Sequence, residues 1–598
     1  MKSVKKDSSQ IKIGIVRGAL ALGFLAVVSQ LFKIQIIDHA RYDIAAKEQH
    51  WSKNTISAIR GDIFSSDNYL LASTQTYYLV YAEPNFISDK NDVARKLAQF
   101  FYKVKSDDLA GQSTETQKET VLEEKDLFKK YYDLINRDLL WVAIENGVSP
   151  EVRDALTHED IKGIGFEEEP KRYYPEDSLG AHVLGFVASD EKGEKRGYYG
   201  IEGIYNEDLK GRPGRLTQEV DATGTPILIG GYKRTQAISG SNIYLSLNRA
   251  VQFIVEQKLK EGVEKYDAKS GTVIVMDPFT GDILAMANYP SYSPLKFDDF
   301  DEEDSAVFRK KSERRNLAIA STYEPGSVMK PFTISTAVSL NVVNPQTTFN
   351  DNGPVNYSGK WIDNWDSKHY NTQTIIQLLQ KSNNIGAAWV GHQVGTKNLR
   401  KYLSDFGFGH KTGIELEGED SGILREIDTW TDIDLANISF GQGISATPLQ
   451  VLNAFNVFAN SGYLLQPRIV QKIVEKDKHI EVPTTVVRRV ISDATAATML
   501  DMLEKAAEGG EAKFFVLKNY RIAGKTGTAQ IPVEGKYDPN KTNATFVGFL
   551  SGHKNFSMIV KLQEPRTKIF ASESAVPLWM DIATELTKYY GLAPDKGE

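Results

Sequence analysis

The chain has 598 residues and a formal net charge of −7. That length exceeds one hydrophobic core, so two or three domains are expected, and the charge gives no hint of a nucleic-acid partner. It contains no cysteine, which excludes disulfides, cysteine-ligated zinc and a thiol nucleophile.

Lys2, Lys5, Lys6 and Lys12 precede an apolar run from Ile13 to Phe32, broken only by Arg17, Ser29 and Gln30. About 20 such residues span a bilayer core of roughly 30 Å. Arg17 lies near one end, where it can snorkel. The basic flank is expected to stay in the cytoplasm and the rest of the chain outside. A cleaved signal peptide is the competing reading. Small-x-small cleavage signals are poor after Phe32, where the chain continues Lys33-Ile34-Gln35-Ile36-Ile37, so an uncleaved anchor is favoured.

From Tyr42 to Gly240 the pattern is mixed and polar. Arg60-Gly61-Asp62-Ile63 leads into a turn at Ser65-Ser66-Asp67-Asn68, and Leu70 to Val80 reads as a strand. Lys103 to Lys129 is charged and polar, a helical excursion or a solvated loop. Gly and Pro punctuation from Arg172 to Gly214 predicts a non-helical, loop-rich module. His182, on an apolar stretch, reads as a packed structural residue. A second domain begins near Ser241. It opens with a strand at Ile243–Leu247 and a helix over Arg249 to Lys265. A hairpin follows, Gly271–Asp277 pairing with Ile283–Ala287. The expected class is α/β (α+β) with a mainly antiparallel sheet packed between helices.

Three short patterns carry chemistry. Ser327 and Lys330, in Glu324-Pro325-Gly326-Ser327-Val328-Met329-Lys330-Pro331, stand three apart at a predicted helix start and share a face. Serine needs a base to take its proton, and a lysine serves only if burial or a second cation keeps it neutral. Pro331 sits where a missing N–H costs little. Ser382-Asn383-Asn384 lies between two helical stretches, Thr374 to Lys381 and Ile385 to His392. There Ser382 can relay a proton to a leaving amine and Asn384 can hold a substrate amide. Lys525-Thr526-Gly527-Thr528 reads as a strand beside Asn543 to Leu550. Lys525 and Thr526 offer a cation and a hydroxyl to a substrate carboxylate. Gly527 lets a ligand backbone approach the strand edge. The Thr528 N–H pairs with that of Ser327 as an oxyanion donor. A second Lys-Thr-Gly, at Lys411-Thr412-Gly413, reads as a loop running into a half-exposed strand and is taken as a decoy.

S-x-x-K, S-x-N and K-T-G in this order are the signature of active-site serine penicillin-recognising enzymes. The stretches Asn316–Lys330, Ser439–Gln450 and Ala523–Gln530 resemble class B penicillin-binding proteins, the membrane-anchored peptidoglycan transpeptidases. Arg60-Gly61, Arg172-Tyr173-Tyr174-Pro175 and Gly200-Ile201-Glu202 resemble that family's N-terminal module. Two departures stand out. Ser65-Ser66-Asp67-Asn68 replaces an acidic-basic-Asn-Gly turn, and Asp177 stands where a glycine is usual.

The resemblance implies a cytoplasmic tail and anchor over 1–40, an elongated, loop-rich pedestal or dimerisation-type module over 41–240, and a penicillin-binding transpeptidase domain over 241–598. It implies that Ser327 attacks the bond between two D-alanines of a stem peptide and that Lys330 takes its proton. Ser382 and Lys525 would help protonate the leaving amine, and Asn384, Thr526, Gly527 and Thr528 would hold the donor. An amine from a neighbouring stem peptide would then close a crosslink. No metal or cofactor is implied. β-Lactams would trap Ser327, and a polytopic glycan polymerase of the divisome or elongasome would be the partner. The stretch from Ala575 to Asp595 looks more like the septal type. A β-lactamase or carboxypeptidase, a β-lactam sensor and a non-catalytic scaffold are the alternatives. Length, the N-terminal module and the single anchor weigh against the first two. The intact Ser327, Lys330, Ser382 and Lys525 weigh against the scaffold.

Overall fold

The computed structural model describes residues 8–42, 51–110, 123–191, 193–220, 227, 231–296, 315–476, 478–515 and 517–596. The chain divides into two units, one made of residues 1–59 and 211–239, the other of 60–210 and 240–598.

In the first unit a helix over Ser8–Phe32 continues through a wider turn at Lys33–Ile37. Its stretch Lys12–Ile37 is 26 residues long, apolar enough to cross a membrane, and buries none of its surface against protein. The same unit holds a three-stranded antiparallel sheet, in which Gly214–Glu219 pairs with both Trp51–Ile56 and Tyr232–Thr235.

The second unit contains two large sheets. A seven-stranded one centres on Leu70–Ala82, flanked by Ile63–Phe64, Val142–Val148 and Ile164–Tyr173, and takes in Asn242–Leu245 and Val470–Glu475. Helices Lys90–Ala110 and Glu124–Ile135 close its own core around Leu97, Phe101, Tyr131 and Ile144. The polar stretch Lys103–Lys129 thus enters and leaves on helices; residues 111–122 lie outside the described residues. Between Arg172 and Gly214 the sequence predicts no helix, yet three single-turn helices stand there, Ala181–Leu184, Gly200–Ile204 and Asn206–Leu209. Glycines bound the first two of these turns, Gly180 and Gly185 capping one and Gly200 opening the other, rather than excluding them.

Three of the N-terminal sequence motifs meet at one buried carboxylate. Glu202, with no exposed surface, accepts from Arg60 Nε at 2.6 Å and Arg172 Nε at 2.6 Å, and Asn206 Oδ1 accepts from Arg60 Nη1 at 3.0 Å. Burial pushes the Glu202 carboxyl up, and the two guanidinium groups bring it below its ordinary value. Both sequence departures have physical reasons. Asn68 and Asp177 take positive φ of 62° and 48°, the conformation glycine would otherwise supply. The Asp177 carboxylate also accepts the Ser293 hydroxyl. His182 is buried edge-on against the Tyr292 ring, with centroids 5.2 Å apart.

The second sheet is five-stranded and wholly antiparallel. Helix α1 (Arg249–Lys265), capped by Asn248, leads into strands β1 (Ser270–Met276) and β2 (Ile283–Tyr289). Helices α2 (Lys330–Ser339), α3 (Ile375–Lys381), α4 (Asn384–Val394) and α5 (Asp493–Gly509) follow, before strands β3 (Ile522–Val533), β4 (Lys536–Leu550) and β5 (Ser557–Gln563) and helix α6 (Ala575–Tyr589). The strand order is β2-β1-β5-β4-β3, which leaves β3 at an edge. One face of the sheet buries Val255, Leu259, Val560 and Trp579 beneath α1 and α6. The other packs on the helices, where Phe332 meets Phe406, Phe408 and Phe458. Helix α2 is buried on nearly every side, and Lys330 is its first residue. Its missing N–H at Pro331 falls in the first turn, where no helical partner is lost.

Candidate active site

Ser327 lies in a tight turn, Gly326–Met329, that runs into α2. Three glycines fix this turn. Gly326 has φ +57°, and its N–H donates to Gly441 O at 3.0 Å. Gly441, with φ +91°, passes so close that a Cβ there would lie 2.1 Å from Gly326 O. A Cβ on Gly527 would lie 2.8 Å from Pro325 O and 3.0 Å from Val328 Cγ1. The sequence suggests that Gly527 leaves room for a ligand backbone; in the structure the room is taken by the serine turn itself.

Lys330 reaches back to the serine, with Nζ 2.8 Å from Ser327 Oγ. The same ammonium donates to Asn384 Oδ1 at 2.9 Å, to Ser382 Oγ at 3.2 Å and to the Ser382 carbonyl. From the other side Lys525 Nζ donates to Ser382 Oγ at 2.9 Å and to Thr526 Oγ1 at 3.1 Å. Burial, then the nearby Lys525 charge, holds the Lys330 ammonium well below the ordinary lysine value. Burial also lowers Lys525. These are the conditions under which a lysine is a base.

The other two patterns are held from outside. Ser382 ends α3 in the left-handed region, φ 53° and ψ 41°, so its hydroxyl faces both lysines. Asn383 then caps α4 by accepting the Gly386 N–H at 2.7 Å. Its side chain donates to Asp351 Oδ2 at 2.6 Å; Asn364 donates to the same oxygen at 3.0 Å and accepts the Asn384 N–H at 3.0 Å. Asp351 and Asn364 carry no recognisable motif and were not singled out in the sequence. The amide of Asn384 is engaged at both ends, Oδ1 by Lys330 and Nδ2 by Asp363 O at 3.1 Å. On β3, Thr528 turns its hydroxyl to accept the Ala571 N–H at 3.0 Å.

Glu511, also unmarked in the sequence, accepts from Thr526 Oγ1 at 2.6 Å. Ser327, Ser382, Asn384, Glu511 and Thr528 line a cavity of about 470 Å³, walled on one side by Trp361, Trp365 and Phe570. The eight residues singled out from the three patterns thus stand in or around this one cleft.

The second Lys-Thr-Gly is elsewhere. The sequence suggests a loop running into a half-exposed strand; the structure has an irregular loop with no strand. The N–H and hydroxyl of Thr412 and the Gly413 N–H all donate to the Glu419 carboxylate, which ties the loop to itself.

Comparison with known proteins accounts for most of the chain. The family described as "Penicillin binding protein transpeptidase domain" matches residues 271–584. The chain belongs to the class B penicillin-binding proteins. The penicillin-binding protein dimerisation domain matches 55–245, upstream of the catalytic match. This penicillin-binding protein is 29% identical over 584 residues to stage V sporulation protein D of Bacillus subtilis, covering 96% of this chain and 85% of that one. It is 31% identical over 460 residues to the peptidoglycan D,D-transpeptidase FtsI of Buchnera aphidicola, 76% of each chain. FtsI of Escherichia coli is 29% identical over 459 residues, 76% of this chain and 73% of its own. Among solved structures, penicillin-binding protein 2X of Streptococcus thermophilus shares the fold with a TM-score of 0.72 at 24% identity, over 92% of this chain and 83% of that one. Penicillin-binding protein 3 of Mycobacterium tuberculosis, complexed with aztreonam, does so with a TM-score of 0.66 at 23% identity, over 91% and 98%.

Proposed function

We propose that this penicillin-binding protein is a peptidoglycan D,D-transpeptidase, a serine acyltransferase of cell-wall synthesis that β-lactams inhibit. The carrying observation is the 2.8 Å contact between Lys330 Nζ and Ser327 Oγ, made by a buried lysine beside a second lysine. Ser327 Oγ attacks the carbonyl between two D-alanines, and its proton passes to neutral Lys330. The N–H groups of Ser327 and Thr528 bind the developing oxyanion, each donor contributing on the order of 3 kcal/mol. As the C–N bond breaks, the proton held by Lys330 passes through Ser382 Oγ to the departing D-alanine nitrogen, helped by the Lys525 charge on the same oxygen, and Lys330 is neutral again. An acyl ester on Ser327 remains. The amine of a neighbouring stem peptide attacks that ester and gives a proton to Lys330, which passes it to Ser327 Oγ as the ester C–O bond breaks and the crosslink forms. Thr526, Gly527 and Thr528 hold the donor's carboxylate and backbone, and Asn384 its amide. β-Lactams present a strained ring amide in place of that donor amide and stop at the ester.

The basic flank of the apolar helix supports a single-pass topology in the cell membrane, tail in the cytoplasm and catalytic domain outside. The matched ranges support a division into 1–40, 41–240 and 241–598. A polytopic glycan polymerase is the proposed partner, and the C-terminal stretch Ala575–Asp595 supports a septal setting. Fluorescent penicillin labelling with a deacylation time course tests the activity. A long-lived adduct on Ser327 is expected. A fleeting one would indicate a β-lactamase or carboxypeptidase, and none at all a scaffold.

A further inference from the structure

We infer that Glu511 is a resident carboxylate in the subsite for the donor's terminal carboxylate, standing on Thr526 until an anionic ligand displaces it. The inference rests on the acyl-serine reading above. The position of Glu511 is built into the fold. A Cβ on Gly509 would lie 2.5 Å from Gln380 Nε2, and one on Gly510 would lie 2.3 Å from Ala506 O and 2.8 Å from Gln380 O. The chain after α5 therefore passes tight against the end of α3, two residues before Ser382, and emerges at the cavity wall as Glu511.

There Thr526 Oγ1 donates to Glu511 Oε2 at 2.6 Å and accepts from Lys525 Nζ at 3.1 Å. This carboxylate–hydroxyl–ammonium chain makes the contacts a substrate carboxylate would make. The Glu511 charge also draws both lysines back up against the effect of burial. A threonine hydroxyl has one proton, so two carboxylates cannot both accept it. An arriving carboxylate accepts the Thr526 hydrogen bond in place of Glu511, whose side chain turns into the open cavity. The resulting penalty falls on the non-covalent binding of anions, whereas the effect of the Glu511 charge on Lys330 acts on the acylation of acid and ester alike. A neutral ligand meets no like charge.

The test compares benzylpenicillin with its methyl ester on the full-length protein in detergent, in wild type, Glu511→Gln and Glu511→Ala. Intact-mass time courses at several concentrations separate the dissociation constant from the acylation rate constant. The preference for the acid over the ester is expected to rise about tenfold in both variants, the scale of one relieved like-charge contact. The change is expected as a lower dissociation constant for the acid. An unchanged acid-to-ester ratio in Glu511→Gln would overturn the assignment, as would equal losses for both ligands, which indicate a packing role. Absence of any adduct in the wild type would overturn the transpeptidase reading itself, and this inference with it. A wild-type adduct with an unchanged ratio would overturn Glu511 alone.

Discussion

Lys330 and Lys525 aim their ammonium nitrogens at one oxygen: Ser382 Oγ lies 3.2 Å from the first and 2.9 Å from the second. Two buried cations this close cannot both hold their protons cheaply, and the one beside Ser327 gives way.

That relationship sets a pH dependence. Lys330 works as a base only when neutral, so acylation should rise as pH increases through its lowered pKa. Lys525→Ala removes the positive charge that depresses it and admits water beside it; both changes raise the Lys330 pKa. The acid limb of the acylation profile should therefore move to higher pH, with a large loss of rate at neutral pH. Penicillin acylation rates across pH for wild type and variant check this. A lower rate with an unmoved acid limb would mean that Lys525 acts on the ligand alone.

Ser327→Ala should abolish the covalent adduct, since removing the nucleophile of such a unit costs on the order of 10⁶ in rate. Melting should be nearly unchanged, because only a hydroxyl is lost from a half-buried turn. Lys411→Ala should label like wild type, since the Glu419 clasp on Thr412 and Gly413 belongs to a separate loop. Intact mass after incubation with a β-lactam reads both variants. An adduct mapped to another serine would remove the mechanism.

Gly527→Ala tests the fit of turn to strand. The added methyl meets Pro325 O at 2.8 Å, a backbone atom that cannot step aside. The serine turn should shift, with a stability loss of about 1–3 kcal/mol, the usual scale of overpacking. Acylation should fall further than stability. Thermal melting and labelling rate on the same preparation separate the two. Wild-type behaviour in both would show that the turn yields freely.

Lys561 provides a stability test away from the chemistry. It is buried in β5, its Nζ 4.7 Å from the centroid of the Tyr323 ring, and burial pushes its pKa down to about 8 from 10.5. A folded-state pKa below the unfolded one makes stability rise with pH between about 8 and 10.5, and that stability is lost as pH falls through about 8. At pH 7 the loss is on the order of 3 kcal/mol. Lys561→Met should raise the melting temperature at pH 7 and flatten its change from pH 8 to 10. A variant that melts lower at pH 7 would show that the ammonium–ring contact outweighs burial.

The three short site patterns were legible because each is a run whose residue types and spacing carry chemistry by themselves. The hairpin of β1 and β2 and helix α1 were equally plain, since turn residues and apolar periodicity are local. Glu511, Asp351 and Asn364 were not. Each acts on a residue far along the chain, 15 positions for Glu511 and Thr526, 20 for Asn364 and Asn384 and 32 for Asp351 and Asn383, and no local pattern announces it. The packing around Gly527 was not legible for the same reason. A missing side chain is visible in sequence, but what fills the space depends on a turn two hundred residues earlier. The single-turn helices between Arg172 and Gly214 were missed because glycine starts and ends turns as readily as it breaks them.

The glycine-hemmed serine turn has an evolutionary consequence. Gly326, Gly441 and Gly527 leave no space for even one methyl group that does not press on backbone or on Ala529. Gradual change at the nucleophile's own seat is therefore closed, because the smallest available step is already a large one. The opposite wall is soft: Trp361 and Trp365 are 70% and 53% exposed, and Phe570, 5.7 Å from Trp365, is 39% exposed. Populations grown under rising β-lactam concentration should accumulate substitutions along that aromatic rim while the three glycines stay invariant.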